Sequence, residues 1–261
     1  MDIIAVDWSG RAEGAHRHIW LARVQDGELV ELRNGRSRHE VMLDLVAERH
    51  RCPGGLAVGL DFAFSFPSWF LGQLGYADVG ALWRGVAAGG EQWLADCAPP
   101  FWGRPGCRRP ALSEHRRRTE RSATVAGISA KSVFQVGGAG AVGTGSVRGM
   151  PYLPQLRRAG FSIWPFDPPS SWKVLEIYPR LLTGPVHKRR AEDRVRYLSH
   201  APWAVAPEFA RAIEASEDAF DAAVSALAMA DRLSDLASLD QATDPVELLE
   251  GTIWPTPNIT V

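Results

Sequence analysis

Two short apolar runs near the start of the chain each end in an aspartate. Residues 3–6, IIAV, precede Asp7, and residues 56–60, LAVGL, precede Asp61. A continuous apolar run of this length is typical of a strand buried on both faces, in the middle of a sheet that helices cover. A carboxylate at the tip of such a strand is costly to desolvate unless it is used, so both aspartates are candidate functional residues.

The segment between these runs predicts that their tips meet. Residues 18–24 and 28–32 are strand-like, and the Asp-Gly pair at positions 26–27 between them is a hairpin signal. Residues 38–51 place apolar side chains on one helical face, and a Cys-Pro-Gly-Gly sequence ends that helix. A hairpin followed by a right-handed crossover makes the fourth strand parallel to the first. The two aspartates are therefore expected side by side.

Regular structure then gives way to residues 62 to about 145, which are rich in Gly, Pro, Trp and Arg and only weakly periodic. We interpret this segment as an insertion over the sheet edge, within a single domain that covers residues 1–261. Two further strands are predicted at residues 161–164 and 174–177, with Glu176 near the end of the second. The last segment, from residue 244, predicts a short helix and an extended tail.

Residues 207–236 predict a helix that breaks near Ser216 and restarts at once. Asp218 and Asp221 lie three positions apart in the second half, so they share one helix face and can both point at the strand tips. For Asp218 a structural role competes, because Ser216 suits a helix cap and acids in the first turn favour the helix dipole. Asp221 lies one turn deeper and is harder to explain by capping.

Several carboxylates at one place repel each other unless a cation lies among them. Oxygen ligands of this kind suit Mg²⁺ or Mn²⁺. Two such ions about 4 Å apart can activate a water on one side of a phosphodiester and stabilise the leaving oxygen on the other. The acids therefore indicate a metal site and favour hydrolysis of a nucleic-acid backbone. Asp7, before Trp-Ser-Gly, has the alternative of capping a turn.

A basic loop offers a candidate contact for such a substrate. Between positions 104 and 121 there are seven arginines against two glutamates, beside Phe101 and Trp102. Positive charge suits phosphates and aromatic rings suit stacked bases, although a solvated charged surface is an equal alternative. The candidate substrate-binding residues, in this loop and beside the acids, are Ser9, Arg116, Arg117, Arg118, Lys131 and Arg148.

The composition limits the class of protein to which this chain can belong. Hydrophobic residues make up 46% and charged residues 23% of the chain, as in globular proteins. The net charge of −1 argues against a protein that coats nucleic acid non-specifically. We find no signal peptide and no membrane span, and three unevenly spaced cysteines form no disulfide scaffold, so a cytoplasmic protein is expected. The sequence leaves the oligomeric state open.

The motifs that hold the acids resemble those of a known family. They read Ala-Val-Asp-Trp-Ser-Gly around Asp7, Val-Gly-Leu-Asp-Phe-Ala-Phe around Asp61, Glu-Ile-Tyr-Pro-Arg from Glu176 and Asp-Ala-Phe-Asp-Ala-Ala from Asp218. These motifs are similar to the signatures of domain-of-unknown-function family 429, which is regarded as predicted nucleases. The final helix also resembles that of the RuvC-type Holliday-junction resolvases, whose Asp-x-x-Asp-Ala sequence supplies metal ligands.

The resemblance implies a ribonuclease H-like α/β fold: a mixed sheet with strand order 3-2-1-4-5, flanked by helices, with a large insertion after strand 4. It implies Asp7 and Asp61 as metal ligands from the first and fourth strands, and Asp218 with Asp221 as ligands from the last helix. Glu176 matches the family's strand motif but has no firm counterpart in the resolvases. The implied activity is Mg²⁺- or Mn²⁺-dependent hydrolysis of DNA or RNA, single-stranded or branched. Residues 90–130 are not covered.

Three other interpretations compete. The glycines at positions 138, 140 and 143 match a dinucleotide fingerprint, but Pro151 and Pro154 disrupt the helix that should follow, which favours a loop near the site. The same sheet underlies actin-like ATP-dependent phosphotransferases, although a second phosphate loop is not visible. A binding module that kept the fold and lost the chemistry is the third possibility.

Overall fold

The computed structural model describes residues 1–111 and 114–256. Its strands are β1 (Asp2–Asp7), β2 (Trp20–Gln25), β3 (Glu28–Arg33), β4 (Leu56–Leu60), β5 (Thr124–Val125), β6 (Ile128–Ser129), β7 (Ser162–Ile163), β8 (Trp172–Ile177) and β9 (Ile253–Trp254). Residues 257–261, the end of the predicted tail, lie outside the described residues.

Most of the helices lie in the second half of the chain, several of them in succession. They are α1 (Arg38–Arg51), α2 (Ser68–Gln73), α3 (Val79–Asp96), α4 (Arg118–Ser122), α5 (Gly143–Gly149), α6 (Leu153–Arg158), α7 (Pro179–Thr183), α8 (Ala191–His200), α9 (Pro207–Ala215), α10 (Glu217–Ala230), α11 (Leu233–Ala237) and α12 (Glu247–Glu250). Within the described ranges, none of them is long and apolar enough to cross a membrane.

A mixed, mostly parallel sheet forms the centre, with strand order β3-β2-β1-β4-β8-β7 and β9 also paired with β8. The predicted order 3-2-1-4-5 is correct for the first four strands and wrong beyond them. The next strand along the chain, β5, pairs with β6 in a separate hairpin, and β7 lies outside β8. The physical reason is length: β7 has two residues, whereas β8 has six and can pair with the whole of β4.

Alternating side chains of the sheet enter two different cores. The α10 face packs Ala5, Ala57 and Leu175 against helix α10. The opposite side, which we call the insertion face, packs strand residues such as Val58 against side chains of α3 such as Trp83. The period of two along a strand separates the two faces, so neighbouring residues in β1, β4 and β8 meet different surroundings.

The insertion is more regular than its composition suggests. Helix α3 runs for 18 residues, and its N-cap Asp78 accepts a hydrogen bond from the backbone N–H of Ala81 at 2.7 Å. Leu82, Trp83 and Val86 are fully or almost fully buried along it. The insertion therefore contributes to the core on one face of the sheet, together with side chains of α1 such as Leu45, and not only at the edge as expected, because α3 has an apolar stripe that needs burial.

Helix α10 lies directly on the sheet. The hydroxyl of Ser216 caps it by accepting from the N–H of Ala219 at 3.2 Å, and α9 ends one residue earlier, so the predicted break is confirmed. All residues from 219 to 229 are buried. A Cβ on Gly59 would lie 2.7 Å from Sδ of Met229, so the absence of a side chain there lets α10 approach β4 closely.

Candidate functional site

Asp7 and Asp61 end neighbouring strands on the α10 face. Asp7 lies two residues after Ala5 in β1, and Asp61 lies two residues after Gly59 in β4, so both continue the side of the sheet that α10 covers. The parallel register pairs the residues immediately before them, and the N–H of Asp61 donates to the carbonyl of Val6 at 3.1 Å. Both aspartates keep some solvent access. The prediction that the two tips meet is confirmed.

The first turns of α10 bring two more acids to this place. Asp221 is buried, with 2% of its surface exposed. Asp218 is partly exposed, and its Oδ2 lies 3.2 Å from Nδ1 of His18, in the segment between β1 and β2. Ser216 does cap the helix, as its sequence position allows. Asp7, Asp61 and Asp221 form what we call the carboxylate cluster. The side chain of Asp218 faces His18, so Asp218 lies at the rim of this cluster.

The cluster is electrostatically strained. Desolvation raises the pKa of Asp7 well above its usual range, and repulsion from Asp221, Asp61 and Asp218 raises it further. Desolvation, followed by repulsion from Asp221, raises the pKa of Asp61 to about 7. The pKa of Asp221 is raised to about 6, again mainly by desolvation and against the opposing effect of Lys188. Like charges held together in a low-dielectric site each disfavour the ionised form of the others.

Lys188 is the basic residue of this site, and the sequence analysis did not identify it. It lies between α7 and α8, and its Nζ donates to Oδ2 of Asp221. Burial opposes its charge, but attraction to Asp221, Asp7 and Asp61 outweighs burial and raises the pKa of Lys188 above the ordinary lysine value. The sequence offered one weak signal: 3 of the 29 basic residues are lysines, and the others are arginines.

The polar atoms that the cluster offers are carboxylate oxygens, which are the ligands that Mg²⁺ and Mn²⁺ prefer. Oδ1 of Asp221 is buried without a hydrogen-bond partner, which is costly for a carboxylate oxygen unless something polar meets it. Within residues 1–111 and 114–256, however, no group of three or more His, Cys, Asp and Glu side chains is arranged so as to hold a metal ion. Asp7, Asp61 and Asp221 are the carboxylates whose charges act on one another here, and Lys188 is bound to the third.

Glu176 lies on the other side of the sheet from the cluster. Its strand β8 pairs Glu176 with Leu60, so Ile177 and not Glu176 continues the α10 face beside Asp61. The carboxylate is buried and receives Nη1 of Arg117 at 2.8 Å, Nη2 of the same residue, and the N–H of Phe64 at 2.9 Å. The alternation of side chains along β8 commits Glu176 to an internal ion pair, which gives no support to the expectation that it is catalytic.

Arg117 is likewise committed within the protein, which gives no support to its expected role in substrate binding. It is 1% exposed, its Nε donates to Oε1 of Glu120 at 2.9 Å, and its Nη1 also donates to the carbonyl of Glu250 at 3.0 Å. Attraction to Glu176 and Glu120 raises the pKa of Arg117 despite the opposing effect of burial. Every nitrogen of its guanidinium is occupied by protein. This network, Arg117 with Glu120 and Glu176, joins the insertion to the sheet.

The other arginines of the basic loop differ in their exposure. Arg118 is exposed and pairs with Asp244 at 2.9 Å. Arg116 is half-buried, and its Nε has no hydrogen-bond partner. Arg109 lies over the ring of Trp102, with 5.9 Å between Cζ and the ring centroid. Much of the positive charge of this loop is therefore used by the protein itself.

Ser9 and Arg148 shape the turn that follows Asp7. Ser9 is buried, and its carbonyl accepts from Nε and Nη2 of Arg38 at 3.0 and 2.7 Å. Arg148 donates to the carbonyl of Gly10 and binds the carboxylate of Glu91 through two nitrogens. Both residues are thus engaged within the protein. Their contacts fix the backbone that leaves the first strand, and this positions Asp7.

Lys131, which lies outside the basic loop of residues 104–121, lines the same cavity as Asp61 of the carboxylate cluster. It is exposed, and it lines a small cavity of about 30 Å³ together with Asp61 and Tyr178. Arg117 and Glu176 also line this cavity. A cavity of this size holds about one water molecule. Lys131 is therefore a cation at the edge of the candidate site with its side chain in solvent.

The glycine-rich segment packs against the turn after β1. A Cβ on Gly10 would lie 2.5 Å from the backbone nitrogen of Gly145, so the two backbones touch. Helix α5 has seven residues and ends at Gly149, and the chain continues directly through a 3-10 turn at Met150–Tyr152 into α6, so Pro151 and Pro154 shorten the α-helix without ending the helical path. The segment is a wall beside Asp7, and its helix is shorter than the one that a dinucleotide fingerprint requires.

An open cleft of about 550 Å³ lies next to the segment that carries Lys188. Its walls include His187, Arg196, Tyr197, His200 and Trp203. Tyr197 packs edge-on against Phe220, with ring centroids 5.2 Å apart, and Phe220 precedes Asp221 in α10. The cleft therefore combines aromatic rings with basic side chains next to the segment that carries Lys188.

Comparison with known proteins gives no further guide to the site. No protein-family model, no curated protein and no solved structure matches this chain. The resemblance to the family of predicted nucleases therefore rests on the short motifs alone. The functional argument rests on the side chains that the fold brings together.

Proposed function

We propose that this protein is a divalent-cation-dependent phosphodiesterase that acts on nucleic acid. Asp7, Asp61 and Asp221 are its metal ligands, and Asp218 with His18 forms the rim of the site. One observation carries the proposal: three carboxylates from three different elements share one desolvated place with a single lysine opposed to them. The pKa values of all three are raised, so folding alone works against their charge.

An arrangement of this kind lowers the stability of the fold, and it persists where function requires it. Any one of the three acids could be an asparagine of the same shape without loss of packing. The partnerless Oδ1 of Asp221 supports the same conclusion, because a buried carboxylate oxygen without a donor is costly. The cluster is therefore better explained as a ligand site than as part of the core.

A bound divalent ion would supply a polarised water and stabilisation of charge on the phosphate oxygens. In the hydrolysis a water oxygen bonds to phosphorus, and the bond from phosphorus to one sugar oxygen breaks. One proton of the water passes to the released sugar oxygen and the other to the phosphate monoester or to solvent. The chain's own residues would orient these groups: Asp7 and Asp61 hold fixed positions because β1 and β4 are buried strands.

Nucleic acid is supported as the substrate class by the cleft beside Lys188. Tyr197 and Trp203 offer rings for stacking, and Arg196, which is exposed and 3.5 Å from the carboxylate of Asp193, offers charge for phosphates. Lys131 adds a solvent-exposed cation at the other edge of the cluster. The basic loop around residues 104–121 contributes less than its sequence suggests, because Arg117 is enclosed and Arg118 is paired.

The test is cleavage of labelled single-stranded, duplex and four-way-junction oligonucleotides with Mg²⁺ or Mn²⁺, with EDTA as the blank. Wild-type protein should cleave at least one substrate in the presence of the ion. Asp7→Asn should reduce the rate at least about 10³-fold, equivalent to about 4 kcal/mol of transition-state stabilisation. The reason is that the substitution removes ligand charge at the strand tip and preserves side-chain volume.

Asp26→Asn is the matched control. Asp26 lies exposed in the turn between β2 and β3, with φ of 51°, a conformation that asparagine tolerates well. This variant should retain wild-type activity. Cleavage by Asp7→Asn at the wild-type rate would reject the proposal. Turnover of ATP with a small acceptor, without cleavage of nucleic acid, would instead favour the phosphotransferase.

A further inference from the structure

We infer that the cleft beside Lys188 and the turn that carries this residue form a binding surface for one unpaired strand of nucleic acid. The turn comprises residues 187–190, with the sequence His-Lys-Arg-Arg, and we call it the basic turn. Its two arginines contact phosphates, and an unpaired base stacks on a ring of the cleft. The inference rests on the proposed function for the class of ligand and deepens it by specifying an unpaired strand.

The two arginines of the basic turn are available to a ligand. Arg189 and Arg190 are both exposed. Within residues 1–111 and 114–256, neither guanidinium has an ion-pair partner. In the basic loop, by contrast, Arg117 is enclosed by glutamates and Arg118 is paired with Asp244. A phosphate can therefore bind the basic turn without displacing an internal contact.

The backbone of the basic turn is held in place by the rest of the fold. The carbonyl of Lys188 accepts a hydrogen bond from Nη1 of Arg194, which is buried. Nε of Arg194 donates to the carbonyl of Ile213 at 2.8 Å, and this connects the turn to helix α9. The N–H of Arg190 donates to the carbonyl of His187 at 3.0 Å. The turn is therefore ordered before a ligand arrives, which lowers the entropic cost of binding.

The cleft contains two half-buried aromatic rings whose orientations are fixed. Tyr197 packs edge-on against Phe220, with ring centroids 5.2 Å apart. Nε1 of Trp203 donates to Oδ2 of Asp231 at 2.9 Å. Both rings line the cleft of about 550 Å³. Such rings suit the flat face of a base, and that face is accessible only when the base is unstacked from its neighbours, as in a single strand.

The surface continues to the carboxylate cluster. His187 lines the cleft, and the next residue, Lys188, donates to Oδ2 of Asp221. Consecutive Cα atoms lie about 3.8 Å apart, so a strand that stacks in the cleft and follows the basic turn passes beside the cluster. Among the described walls of the cleft the acid is Asp193, and its carboxylate lies 3.5 Å from Arg196. The cleft itself therefore does not repel a phosphate.

Charge alone does not select this ligand. Four acids beside the basic turn, Asp7, Asp61, Asp218 and Asp221, repel an anion, and Lys188 offsets them only in part. The net charge of the whole chain is −1. A polyanion without bases is therefore expected to bind weakly. Stacking in the cleft supplies the additional affinity, and it distinguishes a nucleic acid from an acidic peptide.

The experiment is fluorescence anisotropy with labelled oligonucleotides of about 12 nucleotides, in EDTA so that no metal-dependent cleavage occurs. The probes are oligo-dT, oligo-rU, a DNA duplex of the same length, and an abasic strand that keeps the phosphates. Oligo-dT or oligo-rU should bind at least about 10-fold more tightly than the duplex and the abasic strand, because only an unpaired base can stack. Unlabelled polyglutamate should not compete.

Trp203→Leu tests the base contact. It should weaken binding of the single strand about 10-fold and leave binding of the abasic strand unchanged, because it removes a ring and no charge. Trp203→Phe should retain most of the affinity, since it keeps a ring. Trp69→Leu is the matched control: Trp69 is also half-buried, its Nε1 donates to the carbonyl of Glu114 at 2.7 Å, and it packs on the insertion face. Its affinity should equal that of wild type.

Arg189→Gln and Arg190→Gln test the phosphate contacts. Each should reduce the slope of log affinity against log salt by about 0.7, the value for one phosphate contact on a single strand. Arg158→Gln is the control, because Arg158 is an exposed arginine in the last turn of α6, a helix that packs on the insertion face. Its slope should equal that of wild type.

Each outcome bears on one of the two ideas. Equal affinity for single strand and duplex, or unchanged affinity in Trp203→Leu, would overturn the inference. Competition by polyglutamate would indicate an acidic protein partner, and a loss in Trp69→Leu alone would move the site to the basic loop; both results overturn it as well. Binding as expected, without metal-dependent cleavage, would support the surface and reject the proposed function. Cleavage by a protein whose variants all bind like wild type would reject the surface alone. If Trp203→Leu does not fold, the salt slopes of the arginine variants decide, because both side chains are exposed.

Discussion

The two faces of the sheet both contain buried charge, and they treat it in opposite ways. On the insertion face, the guanidinium of Arg117 is surrounded by Glu120, Glu176 and the carbonyl of Glu250, and each of its nitrogens has an acceptor. On the α10 face, three carboxylates are opposed by one lysine, and one oxygen of Asp221 has no partner. The first arrangement is enclosed, whereas the second has access to solvent at Asp7 and Asp61.

This difference separates a structural use of charge from a functional one. A buried ion network with every hydrogen bond made holds elements together, and it fails when one partner is removed. A cluster of like charges destabilises the fold and becomes favourable when a ligand of opposite charge binds. The sequence alone predicted a functional charge at Glu176, whereas its ion pair with Arg117 in the folded chain is a structural use of charge. Stability measurements on the two faces should therefore differ in sign.

The largest effect is expected from Arg117→Met. Methionine keeps much of the volume but leaves the buried carboxylates of Glu120 and Glu176 without their cation, which costs about 3–5 kcal/mol. Urea unfolding followed by circular dichroism measures the loss. Arg118→Met is the control, because this neighbour is exposed and solvent screens its ion pair with Asp244. A loss below about 1 kcal/mol in Arg117→Met would contradict the structural role.

The opposite sign is expected from Asp7→Asn. In EDTA at pH 8 this variant should be more stable than wild type, because asparagine requires neither a buried charge nor a bound proton at a place where desolvation and Asp221 raise the pKa of Asp7. Thermal unfolding should show a rise in Tm of at least about 2 °C. Asp26→Asn, in the exposed turn, should leave Tm unchanged. A Tm below that of wild type in Asp7→Asn would show that its carboxylate stabilises the fold.

A smaller effect is expected in the pH dependence of stability. The pKa of Asp61 is raised to about 7 and that of Asp221 to about 6, from an ordinary 3.8. Between pH 4 and 7 the folded state therefore retains protons that the unfolded state loses, so the free energy of unfolding falls as pH rises through this window. Metal-free wild type should lose roughly 1 kcal/mol more than Asp7→Asn between pH 5 and 8. Parallel curves for the two proteins would argue against coupling among the acids.

The sequence determined the local strands and helices and the position of Asp7 and Asp61 at the ends of two strands. The apolar runs before Asp7 and Asp61 predicted two buried strands, and the crossover rule predicted that their tips meet. Ser216 predicted the boundary between α9 and α10, because a hydroxyl at that position satisfies a free N–H. These predictions succeed because each depends on interactions between residues close in the chain, or on a connection with one preferred hand.

Tertiary structure decided the rest. β8 pairs with β4 across more than a hundred residues, and that register alone turns Glu176 away from the cluster and toward Arg117. Lys188 reaches Asp221 because α7, α8 and α9 fold back over α10, and no local pattern marks its turn. Strand register and long-range packing depend on how strands and helices that are distant in the chain fit together. The partner of each buried charge is therefore known only from the tertiary structure.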